Sequence, residues 1–208
     1  MTLFDLSLDL SDPLVTDAVR LIHLCAMAVA IGSIAATHAS TLKSLRAPLD
    51  QAKLDQLDGI HHLVKLALMG LWLSGAALIW IRTGFEMANF SPKLWMKVMV
   101  VTVLTVTAGA MQVSVFPLLR ARLGLSLMAL ARRDRLVLAF FVGLSAAGWL
   151  SAVLLGAVRI FKTMDWPTLL AVFGGLHVMA VAGLMVPAVV CPRLASAPET
   201  AAERPALA

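Results

Sequence analysis

Charge and cysteine are both scarce in this chain. Of its 208 residues, 14% are charged and only two are cysteines. Disordered chains and nucleic-acid-binding modules draw on abundant charge, so both classes are excluded. Cys25 and Cys191 lie near opposite ends in apolar surroundings, which excludes a secreted disulfide scaffold and offers no metal-type spacing. Also missing are a Ser-His-Asp arrangement, a phosphate loop and a carboxylate well inside an apolar run. The last of these absences weighs against a proton-coupled transporter. What abounds is apolar surface: 60% of residues are hydrophobic and the mean hydropathy is +0.89. A soluble domain of this size has no core able to hide so much. The bilayer is therefore part of the solvent, at about 20 apolar residues per crossing.

Five runs are long enough, over residues 14–41, 60–82, 93–119, 136–161 and 166–190. The sequence thus predicts an all-α membrane protein, a five-transmembrane-helix bundle filling residues 1–191 as one domain, with no room for a separate soluble enzyme. The first run follows Ser11-Asp12-Pro13, where Asp12 can cap and Pro13 takes the first helical position. No positive side chain precedes Arg20, so a cleavable leader is not expected. Residues 192–208, rich in Ala, Pro and Glu, are expected to form a disordered cytoplasmic tail.

The formal charge of +5 is distributed unevenly. Lys43, Arg46 and Lys53 lie around the first connection, and Arg120, Arg122, Arg132, Arg133 and Arg135 around the third. The positive-inside rule then puts the N-terminus outside and the C-terminus in the cytoplasm of a bacterial inner membrane. Trp80, Trp95 and Trp166 fall at the outer edge, where indole rings favour the boundary. The basic excess reads as topology, not as a nucleic-acid partner. Residues 120–135 keep Leu123, Leu127 and Leu130 on one helical face between arginines, so this segment is expected to lie along the inner leaflet against anionic headgroups.

Ionisable groups inside a bilayer are costly, which makes the five histidines the leading candidates for function. His23 and His38 are separated by about 22 Å of helical rise and only about 60° of rotation, so they share a face near opposite surfaces. Met27, Ala30, Ile34 and Thr41 share that face, while Ala28, Gly32, Ala36 and Ser40 form a small-residue stripe on the other, a close-packing surface. The antiparallel second run brings His61 and His62 to the level of His38, and the fifth brings His177 to that of His23. Two pairs result, His23 with His177 outside and His38 with His61 or His62 inside, and an inner haem is expected on His38 and His62. Imidazoles from two helices can supply both axial ligands of a haem iron. Gly174 and Ala30 would leave space for the ring, and Arg20 and Lys65 are placed to meet the propionates. Hydrogen bonding between helices and solvation at the interface are the plain alternatives for each histidine. A copper site from His23, Cys25 and Met27 is disfavoured, because positions i and i+2 diverge by about 200° on a helix.

Three stretches carry a family likeness. Arg20-Leu21-Ile22-His23-Leu24 with the following Gly32, Gly70-Leu71-Trp72-Leu73-Ser74-Gly75, and Leu94-Trp95-Met96-Lys97 resemble a group of small haem-associated membrane proteins, typified by HemJ-type protoporphyrinogen oxidases and the membrane part of CopD-like copper-resistance proteins. The resemblance implies His23 as an axial ligand and Lys97 as a cation of the cofactor site. It does not extend to His177, since the pattern has four helices, and residues 105–110 lack the further histidine often found in the third span. The expectation is one or two b-type haems moving electrons within or across the bilayer, alongside other membrane subunits or a redox partner. A cofactor-free subunit anchoring a larger complex, and a membrane porphyrin oxidoreductase, are the two rival expectations.

Overall fold

A computed structural model describes residues 12–190. Cys191 and the expected tail lie outside the described residues. Five long helices account for most of the chain: α1 (Pro13–Lys43), α2 (Gln51–Thr83), α3 (Pro92–Arg120), α4 (Arg132–Ala157) and α5 (Trp166–Val190). All five are long and apolar enough to cross a membrane.

Local chemistry sets the helix ends. Asp12 accepts the Leu14 N–H at 2.8 Å, with Pro13 in the first position. Asp50 accepts the Lys53 N–H at 2.7 Å, and Ser91 accepts the Leu94 N–H at 3.3 Å just before Pro92. Each oxygen satisfies a donor that the first helical turn leaves orphaned. Gly84 ends α2 in the left-handed region at φ 59°, where a glycine pays no steric penalty. Three boundaries differ from the hydropathy reading by four residues or more, one of them the start of α4 at Arg132 rather than 136. The second helix starts at Gln51 rather than at residue 60, because the Asp50 cap and the buried Leu54 extend it through polar sequence. The fourth stops at Ala157 rather than 161, and Ile160–Lys162 forms a separate 3-10 turn.

The helices alternate in direction, so that one end of the bundle gathers the α1–α2 and α3–α4 connections and the other gathers Trp80, Trp95 and Trp166. We call these the basic end and the tryptophan end. α1 packs on α2, α5 on α4 and α3, and α3 sits between the two hairpins. The core toward the tryptophan end is filled by Met96, Leu155, Leu169 and Phe173, none more than 1% exposed, with the Phe161 ring against Phe173 at 5.1 Å. α4 and α5 come closest at Gly143, where a Cβ would lie 2.8 Å from the Val181 backbone.

The connection from α3 to α4 corrects an expectation. Residues 120–135 do not form one helix lying along a leaflet: Arg120 ends α3, Gly124 turns the chain at φ 83°, Leu127–Ala129 makes a short 3-10 turn, and Arg132 already opens α4. The segment pairs instead with the α1–α2 connection, through Leu49 N–H to Leu125 O at 3.0 Å and Gly124 N–H to Leu49 O at 2.9 Å. Leu130 is buried by this closure, whereas Leu123 is exposed. Most of the small-residue stripe on α1 faces away from the bundle. Ala28, Gly32 and Ala36 are exposed, and nothing lies within 4 Å of a Cβ built on Gly32.

Candidate functional site

The core changes character toward the basic end, where it opens into a cavity of about 950 Å³ lined by all five helices. That volume lies at the upper end of the range for small-molecule sites. Its origin is side-chain size: Ala108, Ala139, Ala146, Ala180, Gly183 and Ala188 all face the space. The closed loops form its floor, through Leu49, Leu127 and Met128. The wall is mostly apolar, and the groups on it that carry or can take charge are Lys53, His38, His61 and Arg135.

His61 is buried, with its ring tilted against Phe116 at a centroid distance of 5.0 Å and near the Ala108 backbone. Its Nε2 is buried without a hydrogen-bond partner of sound geometry. His38 is half-buried on the facing stretch of α1 and makes no hydrogen bond among the described residues. Lys53 donates to the Ser40 hydroxyl, which ties α2 to α1 at the cavity rim. His62, the partner assigned to His38 from the sequence, is exposed and does not line the cavity. The inward residue of the pair is His61. A signal for this was present: Leu54, His61 and Leu68 are spaced by heptads, as are Leu57, Val64 and Leu71, and that stripe is the buried face of α2.

The outer pair is not brought together. The Ser74 hydroxyl donates to the Gly70 carbonyl at 2.6 Å, so the His23 Nδ1–H is the donor in its 2.8 Å contact with Ser74. His177 Nδ1 donates to the Phe173 carbonyl at 2.7 Å, and its Nε2 is buried with no partner. Both rings therefore keep a bare Nε2, the tautomer a metal ligand needs. Neither lines the cavity, however, and among the described residues their hydrogen bonds go to Ser74 and Phe173 and not to each other. α1 leans on α2 while α5 leans on α3 and α4, with Met96, Val100 and Phe173 packed in the core between. Ala30 is fully buried in that core and Gly174 is exposed with nothing near it, so the two do not frame a slot for a ring.

The expected cations are also engaged elsewhere. Arg20 pairs with Asp17 on its own helix at 2.7 Å, and Lys65 donates to Gln112 at 3.1 Å without lining the cavity. Lys53 and Arg135, which the sequence offered only as topology signals, are the cavity's cations. Lys97 lies at the tryptophan end, within electrostatic reach of His23. Among the described residues no group of three or more His, Cys, Asp or Glu side chains is arranged to hold a metal ion. No family model, no curated protein and no solved structure matches the chain.

Proposed function

We propose that the chain is a multi-pass inner-membrane protein, N-terminus outside, that binds one b-type haem in the cavity at its basic end and passes electrons within the bilayer. The observation that carries this reading is the joint presence on one apolar wall of His38, His61 with its orphaned Nε2, and the cations Lys53 and Arg135. An apolar macrocycle with two carboxylates needs those three things: a dry wall, imidazole nitrogens and positive charge at one edge. The exposed Leu73, Val113 and Met179, each at least 67% accessible, support the membrane location.

In this reading His61 and His38 would hold the iron, with Phe116 against the His61 ring fixing its orientation. Lys53 and Arg135 would meet the carboxylates of the bound group. The apolar wall excludes water and so tunes the potential. Bound there, haem supplies one-electron chemistry at its iron. A second, outer haem on His23 and His177 is not part of this reading, because neither histidine lines the cavity.

The test is the absorption spectrum of detergent-purified protein, oxidised and dithionite-reduced. A sharp reduced α-band is expected in the natural chain and in His62→Ala, and is expected to vanish in His61→Ala and to shift or vanish in His38→Ala. Folded but colourless protein from haem-replete cells sinks the proposal, and loss of the band in His23→Ala alone moves the site to the outer half, as the HemJ-type resemblance implies. Porphyrin oxidation rests on that resemblance only, and turnover of a porphyrinogen would be its sign. The alternative of a cofactor-free anchoring subunit is favoured by one observation, the exposed Ala28, Gly32 and Ala36 stripe on α1, which is the kind of surface against which another membrane helix packs closely.

A further inference from the structure

The tryptophan end carries an accumulation of positive charge that neither the fold nor the proposed haem site uses. Lys93 is buried at the first turn of α3, and its ammonium donates to the Val158 carbonyl at 2.7 Å, which ties the α4–α5 connection to α3. Lys97 follows four residues on, so it stands above Lys93 on the same face. The turn Ile160–Lys162 packs on α3, and Lys97 lies within electrostatic reach of Lys93, of Arg82 at the end of α2, and of Lys162. Three segments thus bring four cations to one place.

Their charge is not paired off among the described residues, although the carboxylates Glu86 and Asp165 lie at the same end. None of the four belongs to an ion pair there. Glu86 accepts from Asn89, and Asp165 accepts the Thr168 N–H at the start of α5. Lys93 uses one of three ammonium donors on Val158. The charge is also at the wrong end for topology, since the bias that orients membrane proteins concentrates Lys and Arg on the opposite side. Like charges gathered at a cost, with unused donors and beside exposed Trp80 and Trp95, fit an anion that arrives from outside the chain.

We propose that Arg82, Lys93, Lys97 and Lys162 form a binding site for a phosphate group at the tryptophan end, supplied by the headgroup of an anionic lipid. Lys93 forms the fixed floor, while Arg82, Lys97 and Lys162 are exposed arms free to close on the phosphate oxygens. The indole rings at the same level hold the lipid's glycerol region. This proposal rests on the membrane reading and not on haem.

Binding of dioleoyl phosphatidylglycerol to the purified full chain in neutral detergent, followed by native mass spectrometry, tests it. One saturable lipid is expected in the natural chain. The double variant Lys97→Gln/Lys162→Gln, which leaves the buried Lys93 in place, is expected to bind it about 30-fold more weakly, at roughly fivefold per cation near an anionic headgroup. Lys97→Arg/Lys162→Arg restores binding, and Lys43→Gln/Arg46→Gln, at the basic end, leaves this site intact. Displacement of the lipid by millimolar inorganic phosphate identifies free phosphate as a sufficient ligand, whereas resistance to it identifies the lipid. Undiminished binding by the double Gln variant, or equal binding of phosphatidylcholine by the natural chain, overturns the proposal.

Discussion

The two halves of the bundle share five helices and differ in how those helices are filled. Toward the tryptophan end, Met96, Leu155, Leu169 and Phe173 close the core, with His23 tied to Ser74 and Lys93 to Val158, while Ser151 Oγ and His177 Nε2 are buried without a partner. Toward the basic end the same helices present Ala108, Ala146 and Gly183 to one another and leave about 950 Å³ open, with His61 Nε2 unpartnered on the wall. Helix direction and length do not explain this difference, since each helix runs through both halves. The volume of the side chains at facing positions does. A packed half gives the bundle its shape, and a hollow half can then hold a ligand without carrying the fold.

Truncation in the filled half is the most severe way to probe that contrast. Phe173→Ala is expected to cost about 3–5 kcal/mol, because the ring is buried and packed edge-to-face on Phe161 and its neighbours cannot collapse into the space. Met111→Ala on the cavity wall is expected to cost about 2 kcal/mol or less, since the space it leaves joins one already present. Reversible unfolding in mixed detergent micelles compares the two, and equal costs would abolish the distinction between the halves. Overpacking gives the next effect. Gly143→Ala drives a methyl into the Val181 backbone and is expected to cost about 1–3 kcal/mol. The same change at Gly148 meets only the Leu104 side chain, which can rotate away, so its cost is expected to fall below that of Gly143→Ala.

Filling the hollow half reverses the sign. Ala146→Phe points a ring into the cavity and is expected to raise stability by about 0.5–2 kcal/mol, as cavity-filling changes do, while the reduced α-band disappears. A protein that loses stability on this change has no real void there, and one that keeps its colour holds its haem elsewhere.

How far the sequence could be read follows the same physical lines. Hydropathy located five helices because each apolar run matches the required length, and Asp12-Pro13 marked the start of α1 through its cap. Hydropathy missed the first turns of α2, which are polar but capped by Asp50, and it took residues 120–135 for a helix because the leucine spacing outweighed Gly124 in a left-handed turn. Of the site, His38 was legible from its face on α1. Lys53 and Arg135 were legible only as charges, since their position on the cavity depends on the loop pairing of Leu49 with Gly124 and Leu125. The outer pair His23 and His177 matched in depth along their helices, but depth carries no information on which helices are neighbours, and α1 and α5 are held apart by their separate partners.

The smallest expected effect discriminates most finely between the two readings of α2. His61 and His62 are adjacent, chemically identical and at the same end of the bundle, and they differ in the face each occupies. On the buried stripe of Leu54, Val64, Leu68 and Leu71, His61 is inside and His62 is turned out by about 100°. His62→Ala is therefore expected to change stability by no more than about 0.5 kcal/mol and to leave the spectrum untouched, whereas His61→Ala removes the pigment. If His62→Ala bleaches the protein and His61→Ala does not, α2 is rotated in the membrane so that the face of His62, and not that of His61, lines the cavity.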